Sequence, residues 1–205
     1  PSLTCPCDIM INLFGNEVLK NPIGVGGSKA IAKILLVNPV LTKLDLNSSA
    51  IGVDGARAIA GVLKVNTNLT SLLLQKNSIG DEGAQAIAQA LKVNKALTKL
   101  DLYKNSIGKT GANAIAEALQ VNTVLSTLDL QFNSIGVDGI KAIAEALKKN
   151  TVLTRLDLWR DSIGNDSIYN EIERFVKENK KHKVSAINTT QPIPTKKRHI
   201  LLPQQ

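Results

Sequence analysis

Aromatic residues are scarce in this chain of 205 residues: one Trp, two Tyr and three Phe, 3% of the sequence. Histidine and cysteine are scarcer still, with two of each. Both histidines, His182 and His199, fall near the C-terminus, which excludes a histidine-based catalytic core or metal cluster. Carboxylates are plentiful but exposed by pattern. Cys5 and Cys7 stand one residue apart, too close to staple a fold. They read as ordinary reduced thiols, with an incomplete metal site at an oligomer contact as the other reading. No apolar run approaches the roughly 18–20 residues that span a bilayer, and no basic-then-apolar leader opens the chain. A soluble, intracellular and cytoplasmic protein is expected, with no catalytic site, cofactor or metal. The leading Pro1 suggests a trimmed or chosen N-terminal boundary.

The formal charge of +8 invites a nucleic-acid or membrane-surface reading until its location is known. Six basic residues and no acid lie between Lys180 and Gln205, so the first 179 residues carry only +2. The segment Lys196-Lys197-Arg198 reads as a localisation signal, as a contact to nucleic acid or anionic lipid, or as a solubilising end. The body is nearly neutral.

What is abundant is repetition, with a period of 28. Ile-Gly recurs at 23–24, 51–52, 79–80, 107–108, 135–136 and 163–164. Leu41-Thr-Lys-Leu44-Asp-Leu46 returns with its leucines in place at 69–74, 97–102, 125–130 and 153–158. Within each copy the apolar spacing changes from two to about 3.6, predicting a short strand and then an amphipathic helix. Ala56, Ile59, Ala60 and Leu63 form one helix face, whose alanines permit close packing on neighbouring layers. Asp54, Asp81 and Asp138 are placed to cap helix N-termini. Asn38, Asn66, Asn94, Asn122 and Asn150 precede each next strand, where Asn takes the left-handed conformation that ends a helix.

The pattern L-x-x-L-x-L-x-x-N, with an Ile-Gly and a helix per copy, resembles the leucine-rich repeat family, specifically its ribonuclease-inhibitor-type subclass. The likeness covers about residues 13–187. It implies an α/β fold, a right-handed leucine-rich-repeat solenoid or horseshoe with a parallel sheet on the concave side and helices on the convex side. The asparagine ladder of the family falls on Asn77, Asn105 and Asn133, and Ser49 and Asp161 break it.

A solenoid needs capped ends, because an open turn would expose about five large aliphatics worth roughly 1.5–3 kcal/mol each. One leucine-rich-repeat domain over 1–187 is expected. Residues 1–24 form an N-terminal cap and degenerate repeat, 25–164 the regular repeats, and 165–187 a C-terminal cap helix with a possible last strand at Lys183–Ile187. In the degenerate repeat Leu13, Asn16 and Val18 take the slots of Leu41, Leu44 and Leu46. Residues 188–205 are a basic, proline-containing tail, part of which is expected to pack against the body or a neighbour.

Gly108-Lys109-Thr110 imitates the end of a phosphate-binding loop, but the required earlier glycine is replaced by Tyr103. The equivalent glycines of the other copies serve the loop-to-helix turn. The informative residues are those between the leucines, which point away from the core. They form the columns Lys43, Ser71, Lys99, Thr127, Arg155; then Asp45, Leu73, Asp101, Asp129, Asp157; then Asn47, Gln75, Tyr103, Gln131, Trp159. Phe132 and Arg160 stand just past them. Half of the six aromatics, Tyr103, Phe132 and Trp159, thus gather with Arg155 and Arg160 on one concave strip, and these residue types are enriched at binding hot spots. Asp101, Asp129 and Asp157 form a like-charge ladder, read either as a solvated, self-neutralised row or as a dock for a basic partner.

These features predict a non-enzymatic protein-protein interaction module of scaffold, adaptor or pathogen-type effector kind, gripping a protein partner through its concave face. As an effector it would work in a host-cell cytoplasm. A monomer is expected, with no small-molecule substrate and no nucleic acid as partner. Two alternatives stand beside it: regulation of a small GTPase in the manner of the Ran GTPase-activating proteins, which share the repeat type, and nucleic-acid or anionic-surface binding through the tail.

Overall fold

Leucines that alternate over three to five residues and then recur every third or fourth cannot bury themselves within one copy, so the copies stack. The computed structural model describes residues 9–12, 23–158 and 166–190. Strands β1 (Ile9–Asn12), β2 (Leu41–Asp45), β3 (Ser71–Leu73), β4 (Lys99–Asp101), β5 (Thr127–Asp129) and β6 (Arg155–Asp157) form one parallel sheet in chain order. They alternate with helices α1 (Gly24–Val37), α2 (Gly52–Leu63), α3 (Gly80–Leu91), α4 (Lys109–Leu119), α5 (Gly136–Leu147) and α6 (Asp166–Thr190). The result is the right-handed α/β solenoid expected. Leu44, Leu72, Leu100, Leu128 and Leu156 stand opposite one another across five strands, an offset of one repeat at each step.

The core is a continuous column. Leu41, Leu44, Leu46, Ile51, Ala56, Ile59 and Leu63 are all essentially inaccessible, as are their equivalents in the next two repeats. Small residues set the helix spacing: a Cβ on Gly83 would come within 3.0 Å of the Ala56 Cβ, and one on Gly139 within 2.9 Å of the Ala112 Cβ. A side chain at either position would push neighbouring helices apart. The asparagine ladder forms as expected. Asn105 Nδ2 donates to the Leu74 and Tyr103 carbonyls at 2.8 and 3.2 Å, while its Oδ1 accepts from the Asn77 amide at 2.9 Å. Ser49, where the ladder breaks, donates its hydroxyl to the Asn47 carbonyl at 3.3 Å. Asp161 lies outside the described residues.

Four local expectations are corrected. The N-terminal strand is Ile9–Asn12, with Ile11 opposite Leu44, so the 28-residue register does not extend back to Asn16. Ile-Met-Ile is a better strand than the segment around Gly15-Asn16, and β-propensity overrides the period. Leu13, Asn16 and Val18 themselves lie outside the described residues. Secondly, Asp54, Asp81 and Asp138 do not cap their own helices, whose N-caps are Ile51, Ile79 and Ile135 without side-chain hydrogen bonds. Each aspartate falls inside the first turn, too late in the chain to cap it. Asp81 instead reaches the following helix, where its Oδ1 accepts from the Gly108 and Gly111 amides at 2.7 and 2.8 Å.

Thirdly, none of the asparagines before the strands is left-handed. Asn66 Oδ1 accepts from the Asn68 and Leu69 amides, and its Nδ2 donates 2.9 Å to the Leu35 carbonyl at the end of α1. Asn94, Asn122 and Asn150 repeat this arrangement on Leu63, Leu91 and Leu119. These residues therefore supply donors to helix-end carbonyls of the preceding repeat, which have no partner within their own helix. Finally, Lys183–Ile187 is helical, as part of the 25-residue α6. No glycine or proline interrupts the run from Ser167 to Thr190. The asparagine of this turn has slipped by one, to Asn179, whose Nδ2 donates to the Asn150 and Leu153 carbonyls at 2.9 and 3.0 Å.

Candidate protein-interaction face

Strand pleating directs every second side chain away from the helices, and the register brings Asp101, Asp129 and Asp157 directly opposite one another on β4, β5 and β6. Neighbouring strands are about 4.8 Å apart, so three carboxylates at that spacing repel unless relieved. The two outer ones are relieved. Asp101 is buried and accepts from Gln75 Nε2 at 2.6 Å. Asp157 is joined to Arg155 Nε at 2.7 Å. Asp129, between them, has its pKa pushed up to about 6, chiefly by burial and then by its two acidic neighbours, against the opposing pull of the Gln131 amide and Arg155. The ladder also shapes the chain: Oδ1 of Asp45, Asp101 and Asp129 each accepts from the amide two residues on, fixing the turn out of the strand. In β3 the column holds Leu73, and the Gln75 amide takes Asn47 Oδ1 instead, at 2.7 Å.

That turn carries the aromatic pair. In four repeats the third residue past the aspartate column is forced left-handed: Ser48, Lys76, Lys104 and Phe132 have φ between 51 and 56°. Such a φ is uncommon for any residue with a side chain and costs on the order of 1–2 kcal/mol. Phe132 is the bulky exception in that column. The residue is 43% exposed, and its ring packs against Tyr103 of the preceding repeat, with centroids 4.8 Å apart and planes tilted by 55°. Tyr103 is half-buried at the end of β4. Of the predicted site residues, the structure joins Tyr103 to Phe132, and Arg155 to Asp157. Trp159 and Arg160 lie outside the described residues.

The glycine-rich turn that resembles a phosphate loop is already occupied. The Gly108 and Gly111 amides, which flank the residues that would cradle a phosphate, donate to the carboxylate of Asp81, and Lys109 Nζ is 2.7 Å from Asp138. An internal anion already fills that helix end. Among the described residues no group of three His, Cys, Asp or Glu side chains is arranged to hold a metal ion, and no helix is long and apolar enough to cross a membrane. Sequence reasoning found the columns but missed the left-handed backbone of Phe132. The signal was present, in a column reading Ser, Lys, Lys, Phe, yet its strain depends on a turn geometry visible only in three dimensions.

Comparison with known proteins agrees with this architecture. A leucine-rich repeat family model matches residues 37–60, 65–88, 93–116 and 121–144. The chain belongs to the leucine-rich repeat proteins. Among solved structures it is similar to Leiomodin-1 Actin-Binding Site 2, at 24% identity and a TM-score of 0.67, over 82% of this chain and 98% of that one. It is also similar to the tropomodulin C-terminal domain of Caenorhabditis elegans, at 12% identity and a TM-score of 0.68, over 80% of this chain and 99% of that one. No curated protein matches the chain.

Proposed function

We propose that the chain is a non-enzymatic interaction module of the ribonuclease-inhibitor-type subclass, binding a protein partner through the C-terminal half of its concave face. The observation that carries this reading is Phe132. A bulky ring is held there at a φ that disfavours it, partly exposed, and packed at a tilt against Tyr103. Neither the exposure nor the backbone strain stabilises the free domain, whereas an aromatic pair on a rigid sheet is the kind of anchor that dominates protein interfaces. The spare oxygens of Asp129 and Asp157 beside it favour a partner with a basic contact. The reading sets the domain in a reducing compartment, where Cys5 and Cys7 remain thiols.

The test is capture of a partner from lysate by the intact chain and by a Tyr103→Ala, Phe132→Ala, Trp159→Ala variant. Loss of capture with unchanged thermal stability is expected, and equal capture by both chains refutes the reading. Actin is the first purified protein to try, because the similar leiomodin domain is titled an actin-binding site. Binding that survives the triple substitution would move the interface off the concave aromatics.

A further inference from the structure

The last strand of the sheet keeps a bonding position that β2, β3, β4 and β5 fill. The amides of Leu46, Leu74, Leu102 and Leu130 each donate to the carbonyl of the following strand at 2.9 Å. Leu158 occupies the same position on β6, is buried, and has no following strand to donate to among the described residues. A buried amide without a partner costs about as much as a lost hydrogen bond. Beside it the core is open. Leu156 is only half-buried where its four equivalents are enclosed, and a groove of about 240 Å³ runs between β6 and α6. Its walls are apolar at Leu156, Tyr169, Ile172 and Val176, with Asp157 and Glu173 along its length.

We propose that the groove and the β6 edge accept a strand from this chain's own C-terminus, residues 199–202. Two features of the sequence fit that occupant. Ile200 and Leu202 repeat the spacing of Leu156 and Leu158, and Leu201 would take the column that Leu73 already occupies between Asp45 and Asp101. Pro203 follows, as a residue tolerated at an edge but unable to continue a ladder. The length also closes. Helix α6 has 25 residues against 11–14 in the others, so its end overshoots by about 20 Å at 1.5 Å per residue. Residues 191–198 span up to roughly 27 Å when extended, enough to return. The returning segment would run parallel to β6, completing a right-handed crossover like the five before it.

The experiment compares the full chain with a full-length Ile200→Asp, Leu202→Asp variant, whose changes lie outside the repeat core. Hydrogen exchange of the Leu158 amide is followed by NMR, with Leu130 as internal reference. The intact chain should protect Leu158 at least tenfold more than the variant, with Leu130 equal in both. A synthetic peptide of residues 196–203 should bind the variant and not the intact chain. Equal Leu158 exchange in both proteins overturns the proposal, and so does equal peptide binding, which would mark an open groove. Protection that rises with protein concentration overturns it in favour of a strand donated by a second copy. None of these readouts involves the concave aromatics, so failure here leaves the proposed partner site untouched.

Discussion

The turns built on β3 and β4 and the turn built on β6 share their leucines, yet hold them differently. Leu72 and Leu100 are fully enclosed, while Leu156 is half-buried. Asn94 accepts from the Ala96 and Leu97 amides and donates to the Leu63 and Asn66 carbonyls, whereas Asn179, its counterpart in the last turn, reaches two carbonyls from within a helix. Among the described residues each inner turn has neighbours on both sides, and the last has one. In such an array stability is carried by interfaces between repeats rather than by any one repeat. The same side chain is therefore worth more in the middle than at the end.

The largest expected effect measures that gradient. Asn94→Ala leaves the Leu63 and Asn66 carbonyls and the Ala96 and Leu97 amides without partners and should cost about 3 kcal/mol or more in urea unfolding. Asn179→Ala frees two carbonyls beside the open end and should cost about 1 kcal/mol. Equal losses would break the comparison, since the asparagine before the strand would then be worth the same regardless of neighbours.

Asp81 offers a smaller version. Its carboxylate caps the helix of the next repeat, so Asp81→Ala should destabilise by about 1–2 kcal/mol, as loss of an N-cap does. Asp138 makes an exposed ion pair with Lys109 and caps nothing, and Asp138→Ala should leave the thermal midpoint nearly unchanged. A larger loss from Asp138 than from Asp81 would show that ion pairs, not caps, join the helices.

Much of this was legible beforehand. The period of 28 located the strands, the core leucines and the ladder at Asn77, Asn105 and Asn133, because burial against neighbours demands the same residue at the same place in every copy. Where a residue acts on the adjacent repeat, local patterns misled: Asp81 looks like a cap for its own helix and Asn66 like a turn residue, but both act across a repeat boundary. The ends were misread for a related reason. Beyond the last full neighbour the period loses its force, and local preference puts a strand at Ile9 and a helix through Ile187. The concave site was half legible. Column positions named Tyr103 and Phe132, while the backbone strain that singles out Phe132 appears only once the turn is built.

The C-terminal half of the concave face can be examined through Asp129. Its pKa of about 6 lies above the ordinary 3.8, so the folded state favours the protonated form. That contribution is fully present below about pH 4 and is lost as pH rises through 6. Asp129→Asn keeps an oxygen for the Gln131 amide and removes the charge. At pH 7.5 it should stabilise by about 1 kcal/mol, less than the whole shift implies because the group is partly solvated, and near pH 3.5 the gain should vanish. A gain that persists at pH 3.5 would mean that the ladder is not the source of the strain.

The smallest effect on stability belongs to Phe132, and it decides between strain kept for binding and strain without purpose. Phe132→Asn replaces a bulky residue at positive φ with one that tolerates it, a relief of about 1 kcal/mol. It also removes the ring contact with Tyr103, worth on the order of 0.5–1.5 kcal/mol. These terms nearly cancel, so the unfolding midpoint should move little. Partner capture should nonetheless fall at least tenfold, because the lost ring is the exposed one. Lys104→Asn, at the same left-handed position one repeat earlier, gives the control: it relieves similar backbone strain without removing an aromatic and should leave capture intact. If both substitutions weaken capture equally, the partner reads the shape of the turns rather than the ring, and the two halves of the concave face are functionally alike.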